Sequence, residues 1–203
     1  MRPVNSEDRK PGRIIFLHGA SSSGKSTLAR ALQAAIDEPF LHLSIDHLRD
    51  SGVLPLARFK NKDFDWRDAR APFFAGFHRA LAAFAGAGNN LIVEHIIDTP
   101  GWLDDLASLF APFDVFFIGL HCDRDELIAR ELARGDRPVG SAAKDHDTIH
   151  LGLHYDLDLH SKDGVEANVQ RLLASWHARS PQSALRKLAE ARGKKDDSRM
   201  TNP

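Results

Sequence analysis

Short apolar runs recur along this chain, separated by longer stretches in which apolar residues return every three or four positions. The runs predict four buried strands at 14–17, 41–45, 91–93 and 115–120, and a fifth, alternating strand at 155–159 near a sheet edge. The intervening stretches predict helices over 26–37, 66–85, 101–110, 125–134 and 165–178. Strands that alternate with helices indicate an α/β fold, a three-layer parallel sheet of about five strands with helices on both faces.

The segment between the first strand and the first helix fits the phosphate-binding pattern G-x-x-x-x-G-K-[ST] from Gly19 to Ser26. Backbone N–H groups of such a loop turn inward around phosphates, which requires terminal glycines and small residues between them. Lys25 is predicted to reach the β- and γ-phosphates, Ser26 to offer its hydroxyl to Mg²⁺, and the helix N-terminus to face the anion. The predicted nucleotide-binding residues of this segment are Gly19, Ala20, Ser21, Ser22, Ser23, Gly24, Lys25, Ser26 and Thr27.

Length and composition favour a single domain. With 203 residues, 42% of them hydrophobic, we expect a flexible segment at 1–12, one domain at 13–180 that contains the phosphate-binding pattern, and a C-terminal helix remnant with a disordered tail at 181–203. The formal net charge of −1 provides no global field for nucleic acid or for a membrane surface. A single cysteine, Cys122, and no apolar run near the ~18 residues of a membrane span predict a cytoplasmic protein with neither nucleic acid nor membrane as partner.

Two acids follow predicted strands and should meet the phosphate loop, because ligands of parallel sheets bind at the carboxyl ends of the strands. Asp46 follows the second strand; it is either the general base for an acceptor hydroxyl or the N-cap of a helix that begins near His47, and the spacing leaves both open. Glu94 ends the third strand and is predicted to support Mg²⁺. The alternatives are a solvated carboxylate at this position and Asp98 in its place.

A basic cluster ends the fourth predicted helix and contributes Arg130, Arg134 and Arg137. These guanidiniums are predicted to close over the triphosphate, where they would bind phosphate oxygens and stabilise charge on the transferred group. The alternative is that cations near a helix C-terminus interact with its dipole and pair with Glu131 and Asp136.

Three other patterns do not predict function. Asn61–Asp63 begins like the guanine-reading N-K-x-D, but Phe64 stands at the position of the aspartate, so a GTPase is not expected. Three histidines recur every four residues, but a glycine is expected to break the helix they need, so no metal site is predicted at His146, His150 and His154. Cys122 is expected to behave as a small buried apolar residue rather than a nucleophile.

Five segments together resemble the chloramphenicol phosphotransferase-like family, P-loop kinases of the adenylate and shikimate kinase type. They are residues 14–17, 19–26, 45–48, 133–137 and 150–158, and they span most of residues 14–175. The resemblance implies a P-loop kinase fold with an Arg-bearing lid, and it implies ATP and Mg²⁺ as cofactors. It gives Asp46 the role of catalytic base for the acceptor hydroxyl and gives Arg134 and Arg137 the nucleotide lid.

The resemblance implies a phosphotransferase that moves the γ-phosphate to a hydroxyl of a small molecule, as chloramphenicol 3-O-phosphotransferase does in antibiotic resistance. The chain departs from the family where Glu94-His95 replaces paired aspartates and at 51–72, where no match is found. This stretch should face the acceptor, so the acceptor stays open between a chloramphenicol-like drug, a nucleoside, a sugar nucleotide and a metabolite. A nucleotide-sensing protein without catalysis is the alternative from another class.

Overall fold

The computed structural model describes residues 10–134, 140–180 and 182–191. The strands are β1 Ile14–His18, β2 Phe40–Ser44, β3 Asn90–His95, β4 Val115–His121 and β5 Leu157–His160. The helices are α1 Lys25–Ala35, α2 Ile45–Asp50, α3 Leu56–Lys60, α4 Trp66–Gly86, α5 Trp102–Phe110, α6 Arg124–Arg134, α7 Ser141–Thr148, α8 Val165–Ala178 and α9 at 184–191. One 3-10 turn, Ser161–Asp163, joins β5 to α8.

The five strands form one parallel sheet in the order β2-β3-β1-β4-β5. The central strand β1 pairs on one side with β3, where Ile14 lies opposite Leu91, and on the other with β4, where it lies opposite Val115. Because all the strands run the same way, their carboxyl ends share one edge of the sheet. The loop after β1 and the last residues of β3 therefore lie side by side.

Helices cover both faces of this sheet, because successive side chains of β1 point to opposite sides. Ile15 packs in a cluster with residues of α1 and α8, including the fully buried Trp176. Phe16 packs on the other side with residues of α4, α5 and α9, including Leu106 and Leu185. The predicted three-layer fold is confirmed.

Two short helices, α3 and α7, were not predicted, and α2 was expected only in the alternative that made Asp46 the N-cap of a helix near His47. The helices α2, α3 and α7 are 6, 5 and 8 residues long. Helices of one or two turns are too short to show a clear helical period in the sequence. These helices therefore leave no signal in the hydrophobic pattern.

The edge strand β5 begins two residues later than predicted, at Leu157 instead of Tyr155. The ring of Tyr155 packs directly on the backbone of β4 at Gly119, where a Cβ atom would lie 2.6 Å from the ring. Asp156 then accepts hydrogen bonds from the backbone N–H groups of Phe117 and Ala184, at 2.8 and 2.7 Å. These contacts attach α9 to the sheet. No helix within the described ranges combines the length and apolarity that a lipid bilayer crossing requires.

Candidate active site

The loop that joins β1 to α1 has the backbone of an anion cradle. Ser22 and Gly24 have positive φ angles of 63° and 99°, which turn successive N–H groups to the same side. Gly19 faces a different constraint, since a Cβ atom there would lie 2.4 Å from the carbonyl oxygen of Leu120. The first glycine of the motif is therefore required by close packing on β4, and the second by backbone conformation.

Lys25 begins α1 and bends back along the loop. Its Nζ donates to the carbonyl oxygens of Gly19 and Ala20, at 2.8 and 2.7 Å. The ammonium group thus lies at the phosphate loop, next to the N-terminus of α1. Backbone N–H groups, the helix dipole and this charge all favour an anion at the same place.

A buried histidine directly precedes the phosphate loop. His18 ends β1 and is fully buried; its Nε2 donates to the carbonyl of Ile149 at 3.0 Å, and its Nδ1 accepts from the N–H of Ile97 at 3.4 Å. Burial lowers the pKa of His18 to about 4, so the ring is neutral near pH 7 and can both donate and accept. His18 was not among the residues predicted from the sequence, although its position directly before the phosphate-binding pattern could have indicated a role.

Ser26 and Glu94 meet at the mouth of the loop. The hydroxyl of Ser26 donates to Glu94 Oε2 at 2.7 Å, and His42 Nε2 lies 2.9 Å from Glu94 Oε1. Burial alone would raise the pKa of Glu94, but hydrogen bonds from His42 and Ser26 and the nearby charge of Lys25 hold it below its ordinary value. Glu94 is 7% exposed, so the alternative of a solvated carboxylate is wrong.

Asp46 lies in the first turn of α2 and does not cap it. The N-cap is Ser44, whose hydroxyl accepts the N–H of His47 at 3.1 Å. The capping alternative for Asp46 is therefore wrong. Its carboxylate pairs instead with Arg49 Nη1 at 2.9 Å, and the side chain is 40% exposed.

A cavity of about 750 Å³ brings these groups together. Its walls include the loop residues Ser21–Thr27, the acids Asp46, Glu94 and Asp98, and the bases Arg30, Arg49 and Arg130. A cavity of this size can hold a nucleotide and a small second substrate.

Arg130 is the member of the predicted basic cluster whose side chain the structure describes. Its Nη1 donates to the carbonyl of Ser22 at 3.2 Å, and its Nη2 donates to Glu126 at 2.5 Å. The guanidinium thus rests directly on the phosphate loop. The side chain of Arg134 and all of Arg137 lie outside the described residues.

The buried carboxylate of Glu131 bonds to the backbone that follows residues 135–139. It accepts the N–H groups of Gly140 and Ala142, each at 2.8 Å, and so caps the start of α7. Asp145, further along α7, accepts the N–H of Ser21 at 3.3 Å. The chain on both sides of residues 135–139 is therefore attached to the phosphate loop.

One aromatic side chain of the cavity wall, Phe74, is held by a neighbouring ring and an arginine. Phe74 stacks on Trp102 with ring centroids 4.4 Å apart, and the guanidinium of Arg70 lies over both rings. Arg70 also donates to Asp98 at 2.9 Å. Asp98 is thus engaged with Arg70, whereas Glu94 is the acid that contacts Ser26.

Residues of the patterns from which no function was predicted make ordinary contacts. His150 Nδ1 bonds the hydroxyl of Tyr155 at 2.7 Å and His146 pairs with Asp147, so neither faces the other as a metal ligand. Cys122 is buried, and burial raises the pKa of its thiol, which does not favour a nucleophile.

A comparison with family models matches residues 12–177 to the description "Chloramphenicol phosphotransferase-like protein". The chain belongs to this family. A Mycobacterium tuberculosis protein named "Putative O-phosphotransferase" is 31% identical over 185 residues, covering 82% of this chain and 81% of the relative. As a family member with an intact phosphate loop, the chain is a nucleotide-binding phosphotransferase of the kinase type with an alcohol group as acceptor.

Solved structures with the same fold include three kinds of protein. A gluconokinase from Sinorhizobium meliloti has a TM-score of 0.58 and 21% identity, over 92% of this chain and 98% of that one. The Mycobacterium tuberculosis APS kinase CysC, in complex with AMPPNP and APS, has a TM-score of 0.58 and 18% identity, over 82% of this chain and 98% of that one. A tunicamycin resistance protein from Deinococcus radiodurans has a TM-score of 0.61 and 15% identity, over 80% of this chain and 94% of that one. At these identities the likeness shows the fold, that of P-loop kinases.

Proposed function

We propose that this protein is an ATP- and Mg²⁺-dependent kinase that transfers the γ-phosphoryl group to a hydroxyl of a small molecule. The observation that carries the proposal is the shared cavity, whose walls include the phosphate loop, the Ser26–Glu94 pair and the carboxylate of Asp46. Binding of AMPPNP by the APS kinase of the same fold supports ATP as the donor. The single, buried cysteine supports a reducing compartment, and the cytoplasm is part of the proposal.

The phosphate loop and Lys25 bind the triphosphate. Ser26 and Glu94 would hold Mg²⁺, and their hydroxyl and carboxylate oxygens fit the oxygen ligands this cation prefers. Bound Mg²⁺ supplies positive charge against the β- and γ-phosphate oxygens. The protein itself positions the reacting groups and has little covalent chemistry to perform.

Asp46 accepts the proton of the acceptor hydroxyl. The acceptor oxygen forms a bond to the γ-phosphorus while the bond from that phosphorus to the β–γ bridging oxygen breaks, and ADP leaves. Arg49, paired with the Asp46 carboxylate at 2.9 Å, fixes its orientation. Arg130, Arg134 and Arg137 stabilise the charge on the transferred group.

Hydroxyl-bearing antibiotics of the chloramphenicol type are the first acceptors to test, because the family model carries that name. Nucleosides, sugars and sugar nucleotides come next. The acceptor is expected against the wall of Phe74 and Asp98, since these residues line the cavity apart from the phosphate loop.

A mass-spectrometric screen tests the proposal. Purified protein, Mg²⁺ and ATP are incubated with each acceptor, and products heavier by one phosphoryl group are sought, with Lys25→Ala as the inactive control. The expected result is one acceptor class that is phosphorylated by the wild type alone. Tight ATP binding with no transfer to any class would contradict the kinase and favour the nucleotide sensor.

A further inference from the structure

Three side chains from neighbouring elements bring metal-ligand atoms together beside the phosphate loop. One ligand atom each of His42, His47 and Glu94 lies within 4.8 Å of the other two. Within the described ranges, no other group of three or more histidine, cysteine or acidic side chains brings its ligand atoms this close together. We propose that these residues form a binding site for a transition-type divalent cation such as Zn²⁺, distinct in its ligands from the Mg²⁺ site but sharing Glu94.

The sheet fixes two of the three ligands. His42 on β2 and Glu94 on the adjacent strand β3 are each 7% exposed at the side chain, with 2.9 Å between His42 Nε2 and Glu94 Oε1. The parallel register places Ser44 of β2 opposite Glu94, and α2 begins immediately after Ser44. His47 therefore lies one turn beyond the end of β2, and its ring centroid is 4.6 Å from that of His42.

The ligand chemistry favours Zn²⁺ over Mg²⁺. Two imidazole nitrogens and one carboxylate oxygen form a known three-ligand zinc set, whereas Mg²⁺ takes oxygen ligands almost exclusively. Zinc–ligand bonds of about 2.0–2.1 Å in tetrahedral geometry place the ligand atoms about 3.4 Å apart. The separation of His42 Nε2 from Glu94 Oε1 is 2.9 Å, close to this value, and no separation within the group exceeds 4.8 Å.

Small side-chain movements complete the geometry. His47 is exposed, so its ring can rotate without disturbing packed neighbours. Glu94 is oriented on its other oxygen by Ser26, and such second partners fix the ligands of metal sites. Three protein ligands leave a fourth position to water, as in zinc sites that remain open.

Occupancy of this site would affect phosphoryl transfer, a consequence that rests on the proposed function. Glu94 would be committed to the transition metal and would no longer be available to support Mg²⁺. Zn²⁺ is then an inhibitor that acts through Glu94 while the phosphate loop stays intact.

The binding site is tested first, without nucleotide or acceptor. Metal-depleted full-length protein is titrated with Co²⁺, whose visible absorption reports tetrahedral nitrogen and oxygen ligands, and the bound Co²⁺ is then displaced with Zn²⁺. We expect one strongly absorbing Co²⁺ per chain. His47→Ala should weaken Co²⁺ binding by more than about 100-fold, because loss of an outer partner of a metal ligand already lowers metal affinity about 10- to 100-fold. His146→Ala, at a half-exposed histidine paired with Asp147 outside the site, is the matched control and leaves binding unchanged.

Equal Co²⁺ binding by wild type and His47→Ala, or no absorbing complex in the wild type, overturns the proposal. Inhibition is measured separately, as phosphoryl transfer at fixed Mg²⁺ and ATP with added Zn²⁺. We expect His47→Ala to transfer phosphate normally and to resist Zn²⁺; equal inhibition of both proteins overturns the regulatory consequence. If no acceptor is phosphorylated at all, the proposed function is wrong. The Co²⁺ titration needs no acceptor, so it still tests whether the metal site exists.

Discussion

The two halves of the cavity are built in opposite ways. On the nucleotide side, His18, Ser23 and Glu94 are 0%, 0% and 7% exposed. The phosphate loop is also bonded to α6 through Arg130 and to α7 through Asp145.

On the proposed acceptor side, α2 contributes Asp46 and Arg49 to the cavity wall and buries no residue. The helix α3, which follows α2 in the chain, buries none either, and Val53 and Leu56 are 59% and 45% exposed outside the cavity lining. The first half is specified by backbone geometry and burial, and the second by exposed side chains.

This difference explains why the type of reaction can be inferred from the sequence and the identity of the acceptor cannot. Two arginines of 51–72 pair with acids of the protein itself: Arg58 pairs with Asp63 at 3.1 Å, and Arg70 pairs with Asp98 at 2.9 Å. Exposed side chains of this kind can be exchanged with little effect on stability. The acceptor half can therefore vary while the nucleotide half stays the same.

Removing the charge of the nucleotide half should have the largest effect. Lys25→Ala is expected to weaken ATP binding and to lower phosphoryl transfer by about 1000-fold or more, because a preorganised positive charge is lost at the transferred group. Calorimetric ATP titration and the transfer assay measure both. Unchanged ATP affinity would contradict the assignment of the loop. Arg30→Ala, at another cation on the cavity wall, should have a much smaller effect.

The two candidate acids for Mg²⁺ can be separated by a matched pair of variants. Glu94→Gln removes the carboxylate that contacts Ser26, and we expect the Mg²⁺ concentration for half-maximal transfer to rise about 10- to 100-fold. Asp98→Asn changes an acid of the same cavity that bonds Arg70, and we expect no shift in Mg²⁺ dependence. The reverse result would move the metal to the acceptor side.

Acid should destabilise the fold through its buried histidines. Burial lowers the pKa of His18 and of His78 to about 4, against 6.5 for a free imidazole. Between these values the unfolded chain binds more protons than the folded one, so the free energy of unfolding is fully retained above about 6.5 and falls as the pH drops toward 4. Denaturant unfolding at several pH values measures this, and His78→Leu should show a shallower dependence. A flat profile over that range contradicts it.

The smallest effect is expected from the exposed ion pair of α3. Arg58→Ala removes a pair whose side chains are 58% and 46% exposed, so the free energy of unfolding should change by less than about 1 kcal/mol. ATP affinity should not change. A loss of ATP binding in this variant would mean that the two halves are not separate.

The features predicted from the sequence are those formed by consecutive residues and those that show a regular spacing of apolar residues. The five strands and the longer helices have a buried face, so the spacing of apolar residues found α1, α4, α5, α6 and α8 within one or two residues at most ends. The helices α3 and α7 were missed, and α2 was expected only as an alternative, because helices of 5 to 8 residues are too short to show a helical period. The phosphate loop was found because its residues are consecutive.

Contacts between distant residues could not be predicted in the same way. His42 and Glu94 are 52 positions apart and meet through the β2–β3 register, and Ser21 meets Asp145 across 124 positions. The cap at Ser44 shows the same limit locally, since Ser44 and Asp46 both suit an N-cap and the backbone decides between them.

The most direct test of the account compares two aspartates on α2. Asp46 lines the cavity and Asp50 is on the same helix; both pair with Arg49, at 2.9 and 2.7 Å. With an acceptor found by the screen, ATP affinity and transfer rate are measured for Asp46→Asn and Asp50→Asn. The account predicts unchanged ATP affinity in both and a loss of transfer of at least about 100-fold in Asp46→Asn alone. Retained transfer in Asp46→Asn would contradict the assignment of Asp46 as the base.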